Sequence, residues 1–149
     1  MKNMSVTIRA YEAADKETLS SIWYRASLEA HAFLGSDLLR DQQKLIEDVY
    51  LEKAETWVAI IDNKPVGFIG LLGSFIGGLF VNPAAQGHGI GRTLIAYALA
   101  MKGELSLEVY VNNERAYRFY KQLGFQEISR RAEDDNGFPF ANIEMQLKD

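Results

Sequence analysis

Val81-Asn82-Pro83-Ala84-Ala85-Gln86-Gly87-His88-Gly89-Ile90-Gly91-Arg92-Thr93-Leu94 follows an apolar run ending in Leu79-Phe80-Val81 and opens a helical pattern. In that pattern Ile90, Leu94, Ile95, Ala98 and Leu99 share one face. Three alternate glycines at a helix start let the backbone turn tightly and let a ligand reach the amides with no Cβ in the way. The free N–H groups of the first turn and the positive end of the helix dipole then form an anion cradle. A phosphate-bearing ligand is the natural guest.

Spacing narrows the choice of ligand. A P-loop, Gly-x-x-x-x-Gly-Lys-Ser/Thr, needs one residue more than the interval from Gly87 to Gly91 provides, and Arg92-Thr93 stands where Lys-Ser/Thr belongs. A dinucleotide fingerprint, Gly-x-Gly-x-x-Gly, is not met by Gly87-x-Gly89-x-Gly91. What fits is Gln-x-x-Gly-x-Gly on Gln86, Gly89 and Gly91, lying after a strand and before a helix. In that position it resembles the coenzyme A loop of the GNAT acetyltransferases (general-control-related N-acetyltransferases).

Working outward, the segments upstream read as a small sheet. Trp57 to Ile61 is a continuous apolar run, Asp62-Asn63-Lys64-Pro65 makes a turn, and Val66 to Leu72 is the next strand. Gly73-Ser74 turns again into Phe75–Val81, and connections this short require antiparallel neighbours. Gly77-Gly78 inside the last strand predicts a bulge or a close backbone approach. Further back, Val6 to Tyr11 alternates as a half-buried strand. Asp15 is the expected N-cap of a helix with Leu19, Ile22, Trp23, Ala26 and Ala30 on one face. After Gly35-Ser36, a second helix begins near Asp37 with Leu38, Leu39, Leu45, Ile46, Val49 and Tyr50 as its stripe. Two amphipathic helices in succession suggest a layer over one sheet face.

Downstream, Lys102-Gly103 closes the helix after the glycine loop. Leu105, Leu107, Val109 and Val111 alternate with Ser106, Glu108 and Tyr110, which places Glu108 opposite the aliphatic set. Asn113 is a good N-cap for a short helix carrying Ala116, Phe119, Tyr120 and Leu123, which stops at Gly124. Phe125 starts a strand to about Glu133, Asp134-Asp135-Asn136-Gly137 turns, and Pro139 to Leu147 returns as the last strand. No repeat or linker interrupts the chain, which is expected to be one domain over residues 1–149.

Asn113-Glu114-Arg115-Ala116-Tyr117-Arg118-Phe119-Tyr120-Lys121-Gln122-Leu123-Gly124-Phe125 is similar to the second GNAT signature, Asn-x-x-Ala-x-x-Phe-Tyr-x-x-x-Gly-Phe. Both motifs occur in the right order, and the predicted element order matches that superfamily along essentially the whole chain. The resemblance implies an α/β (α+β) GNAT fold: a mixed, mostly antiparallel twisted sheet of about seven strands with about four helices. It implies a small single-domain bacterial N-acetyltransferase that uses acetyl-CoA. In the family the pantetheine arm lies like an extra strand against the strand before the loop, here Leu79, Phe80 and Val81. The pyrophosphate would rest on Gln86, Gly87, His88, Gly89, Ile90, Gly91, Arg92 and Thr93, with Asn113 and Ala116 beside the arm. Tyr120 matches the tyrosine beside the cofactor sulfur, where a phenol can protonate a leaving thiolate.

Other candidates carry open alternatives. Glu108 is either a base acting through water or an ordinary strand carboxylate. The strand Phe75–Val81 lacks the acid that the family often has there, which leaves the base undecided. His31 sits where the first helix gives way to the second, as a packing group or as an acceptor-site and proton-handling residue. Trp23-Tyr24 and His31-x-Phe33-Leu34 resemble a subset of small bacterial GNAT proteins, so Trp23, Tyr24, His31, Phe33 and Phe75 are the expected acceptor lining. The absence of cysteine excludes a Cys acyl carrier and a thiolate metal site, and two distant histidines make no metal cluster. A net charge of −4 argues against nucleic acid as a partner, and no apolar run approaches a membrane span or a signal sequence. The expectation is a cytoplasmic monomer or weak homodimer acting on a small-molecule or peptide amine. The other reading is an acyl-CoA-binding or sensing module without turnover.

Overall fold

Alternating apolar positions set the layers. The computed structural model describes residues 5–133 and 140–149. Strand β1 (Thr7–Ala10) leads into α1 (Lys16–Ala30) and α2 (Ser36–Leu45); a π-helical turn, Ile46–Tyr50, then runs into the single turn α3 (Leu51–Lys53). Three strands follow, β2 (Glu55–Ile61), β3 (Lys64–Leu72) and β4 (Phe75–Val81), then α4 (Ile90–Lys102), β5 (Glu104–Tyr110) and α5 (Glu114–Gln122). The chain finishes with β6 (Gln126–Arg131) and β7 (Asn142–Lys148); the expected turn at Asp134-Asp135-Asn136-Gly137 and the strand start at Pro139 lie outside the described residues. Among the described residues no helix is long and apolar enough to cross a membrane.

All seven strands form one sheet in the order β1-β2-β3-β4-β5-β7-β6, antiparallel except for the β4–β5 pair. The continuous apolar run of β2 is explained by burial on both faces. Val58 and Ile60, with Phe68 of β3, meet Leu19, Ile22, Trp23 and Leu39 of α1 and α2. Ala59 and Ile61, with Ile69 and Leu71, face Ile90, Leu94, Ile95 and Ala98 of α4, where Tyr120 and Phe125 also pack. The four longer helices thus divide two and two across the sheet, and burial of their apolar stripes is the main stabilising term.

Three local outcomes depart from the sequence reading. The stripe expected of the second helix breaks after Leu39: Leu45 is 62% and Val49 40% exposed. Leu45, the last residue of α2, precedes the π-helical turn and faces outward, whereas Val49 lies within that turn, whose wider winding takes it out of α-helical phase. Asp15 stands at the N-cap position of α1 but does not cap it. Its carboxylate instead accepts two hydrogen bonds from the Arg9 guanidinium, at 2.7 and 2.8 Å, and one from the Glu12 N–H. A charge-assisted bidentate pair outcompetes a single helix amide, and the Arg9 hydrogen bonds hold the Asp15 carboxyl below its usual range. The β6 strand is also shorter than expected, ending at Arg131.

The end of α1 is tied to the start of α5 through His31. Asn113 caps α5 by accepting the Ala116 N–H on Oδ1, at 3.2 Å, which turns its Nδ2 toward His31 Nε2 at 3.3 Å. A donor on that side requires a lone pair on Nε2, so the imidazole is neutral and carries its proton on Nδ1. Phe33 and Tyr110 meet the ring edge-to-face, with centroids at 5.9 and 5.3 Å. Burial lowers its pKa from 6.5 to about 4. Between those values the unfolded chain binds the extra proton, so stability falls as the pH drops. Moving from about pH 7.5 to about pH 5 should cost about 2 kcal/mol through this residue. Urea midpoints at the two pH values should show that loss in the wild type and a loss smaller by that amount in His31→Gln. Equal losses would remove the buried neutral imidazole as the cause.

Candidate active site

Two parallel strands that separate create the site. Strands β4 and β5 pair only at Phe75 with Ser106 and at Ile76 with Leu107. On its other edge β4 continues along β3, but the register jumps from Leu71–Ile76 to Gly70–Gly78, leaving Gly77 as the extra residue of a bulge. Beyond it the strands part around a cleft of about 1050 Å³. Gly77 to Val81 form one wall and Leu107 to Tyr110 the other. Phe119 and Tyr120 of α5 border it from below, and the far side is lined by Trp23, Ala26 and His31 together with Leu45, Ile46 and Tyr50.

The glycine loop stands at one end of this gap. Asn82 Oδ1 accepts the Ala84 N–H at 3.1 Å and shapes the turn Pro83–Ala85. Gly87 and Gly89 then adopt φ of +88° and +76°, the left-handed region where a Cβ is strained. The first bond of the helix runs from the Thr93 N–H to the Gly89 carbonyl at 3.0 Å, and the Thr93 hydroxyl donates to the same oxygen at 2.8 Å. Among the described residues the amides from Gly87 to Arg92 find no protein acceptor. Gln86, Gly87, Gly89, Ile90, Gly91 and Arg92 border the cleft, whereas His88 and Thr93 do not. Gly91 has a second duty: a Cβ there would stand 3.2 Å from the Phe119 ring, so the small residue lets α4 approach α5. A run of unsatisfied amides at a helix start, with one guanidinium, fits a diphosphate.

The remaining candidates separate by position. Tyr120 is 9% exposed, edge-to-face with Phe119 and with Phe125, both at 5.3 Å, and burial raises its pKa well above the ordinary phenol value. Asn113 and Ala116 border the cleft at the start of α5. Leu79 and Phe80 border it from β4, Phe80 packing edge-on to Trp23 with centroids 6.1 Å apart. Glu108 also lines the cleft and forms an ion pair with Arg131. Of the expected acceptor lining, Trp23 and His31 reach the cleft; Tyr24, Phe33 and Phe75 do not. Tyr24 lies under the Arg40 guanidinium, 4.4 Å from its ring centroid. Phe33 belongs to an aromatic cluster with His31, Tyr110 and Phe140. Phe75 sits where β4 and β5 are still paired. Tyr50 and Tyr110 take their places in the lining. Alternation with Glu108 could have pointed to Tyr110, but nothing in the sequence announces the π-turn that brings Tyr50 in.

Comparison with known proteins agrees with this geometry. A family profile described as the acetyltransferase (GNAT) domain matches residues 52–127, which contain both the bulge and the glycine loop. The chain is 36% identical over 138 residues to the peptidyl-lysine N-acetyltransferase YjaB of Escherichia coli, covering 92% of this chain and 93% of that one. The solution structure of apo-form YjaB superposes with a TM-score of 0.88 at 35% identity, over 96% and 97% of the two chains. The PaiA N-acetyltransferase of Thermoplasma acidophilum, solved in complex with coenzyme A, shares the fold with a TM-score of 0.80 at 20% identity, over 98% of this chain and all of that one. With its parted strands, its unsatisfied amides and these relatives, the chain belongs to the GNAT acetyltransferases and uses acetyl-CoA as acetyl donor.

Proposed function

We propose that this enzyme acetylates the side-chain amine of lysine in a protein or peptide by direct transfer, with Tyr120 as the acid. The observation that carries the reading is the place of Tyr120: a neutral phenol bordering the gap where β4 and β5 part, its hydroxyl making no hydrogen bond among the described residues. The lysine acceptor is supported by the name of the 36% identical relative.

Bound acetyl-CoA supplies a thioester carbonyl that an amine can attack. The residues of this chain do the rest. Amides from Gly87 to Arg92 and the Arg92 side chain hold the diphosphate, and the backbone of Leu79–Val81 lines the arm. A backbone N–H beside the bulge offers polarisation to the carbonyl oxygen. Tyr120 keeps its proton at every working pH because its anion is destabilised by burial. The same dry surroundings make a departing thiolate more basic, so the phenol gives its proton to sulfur and regains one from solvent.

For the amine, the two expected bases differ. The His31 Nε2 lone pair is engaged by Asn113, and a pKa near 4 makes it a weak acceptor. Glu108 lines the cleft with a carboxylate paired to Arg131. It is the better group to attract a lysine ammonium and to take its proton through water.

Two variants test the assignment. Tyr120→Phe should keep acetyl-CoA affinity within a few-fold while slowing acetylation of a lysine peptide by roughly 10²–10⁴-fold, measured by calorimetry and by free-thiol release. A wild-type rate would reduce Tyr120 to packing. Gly89→Val should lose acetyl-CoA binding, since a β-branched residue resists a φ of +76° and disturbs the first helical turn. Unchanged affinity in that variant would separate the loop from the cofactor.

A further inference from the structure

One tyrosine bordering the cleft has no part in the transfer as described. Tyr50 ends the π-helical turn Ile46–Tyr50, and its phenol lies across β3 and β4 at the bulge. Its hydroxyl donates to the Gly70 carbonyl at 3.3 Å. Two glycines make room for it. A Cβ at Gly77 would overlap the hydroxyl, and one at Gly70 would stand 2.5 Å from it. The ring therefore fills the volume that side chains on both strands would otherwise occupy. Burial keeps the phenol neutral, raising its pKa above the ordinary value.

The position along the cleft matters more than the burial. Beside Gly77 the gap closes, because Ile76 is paired with Leu107. A ligand arm that starts at the glycine loop and follows β4 from Val81 back to Gly77 runs about 13 Å at the usual strand rise. It then meets paired strands and goes no further. The tip of such an arm would stop at the bulge, beside the Tyr50 phenol. This reasoning rests on the coenzyme A reading of the cleft.

We propose that Tyr50 sets the length of the acyl group the enzyme accepts, acting as a wall that admits acetyl and excludes longer chains. The wall is the tip of the phenol, its hydroxyl with the ring edge behind it, which fills the space over Gly70 and Gly77. The π-turn is what aims it: in a continuous α-helix the residue would be out of phase with the notch.

Calorimetric titration with acetyl-CoA, butyryl-CoA and free coenzyme A separates the possibilities. The wild type should bind acetyl-CoA at least about 10-fold more tightly than butyryl-CoA, as expected when added methylenes do not fit. Tyr50→Phe should lower that ratio only in part, because the ring edge behind the hydroxyl remains. Tyr50→Ala and Tyr50→Leu should bring it close to one while free coenzyme A binds as before, and turnover measured by thiol release should shift in the same sense. If Tyr50→Ala does not fold, Tyr50→Leu, which preserves apolar packing, carries the test alone. A wild type indifferent to acyl length, or a ratio unmoved in the folded variants, overturns the wall while leaving coenzyme A binding intact. Failure of the folded wild type to bind all three ligands overturns the cofactor reading and this inference with it.

Discussion

Parallel pairing of β4 with β5 stops after two residue pairs, and the use of an extended ligand depends on that stop. Each strand is held on its outer side, β4 by β3 and β5 by β7, so the separation is locked by antiparallel ladders that do not end with it. The bulge at Gly77 bends β4 away, and apolar residues of α4 pack beneath both sides. A polar gap in the middle of a sheet would otherwise be a defect. Here the core on either face keeps it open at a fixed width.

The two ends of the gap have different chemistry. The loop end offers amides and a guanidinium in a chain of net charge −4, so attraction of an anion is local and short-ranged. The opposite end is aromatic and partly apolar, with Trp23, Tyr50 and Phe80 near the bulge. His31 and Asn113 join α1 to α5, and their hydrogen bond fixes both the cap of α5 and the tautomer of the imidazole. What reads in sequence as a lone histidine at a helix end is a strut between two helices.

Much of this was legible in the sequence, for identifiable reasons. Strands joined by short turns, the glycine loop and the Asn113 cap are local features, so their signals lie within a few residues of their effects. The double-glycine signal in β4 announces the bulge, but not that the side chain of Tyr50, rather than a backbone, fills the space beside it. Long-range pairings were hidden. Asp15 looked like a cap because Arg9 could not be seen to reach it. Val49 falls outside the expected stripe because a π-turn preserves composition while changing phase. Tyr24, Phe33 and Phe75 were grouped by aromatic character, whereas tertiary packing sends them to three different places.

The parted strands also bear on how the protein avoids its own kind. Leu79, Phe80 and Val81 are paired on the β3 side and, among the described residues, have no strand partner on the β5 side, so β4 carries an edge in the interior of the sheet. Exposed edges recruit strands from other molecules, which is a route to aggregation. This edge faces a slot walled by β5 and lined by aromatic side chains, where a thin, extended arm can lie along the unpaired backbone. The stickiness that would be a hazard at the rim of the sheet becomes, at its centre, a selective means of recognition.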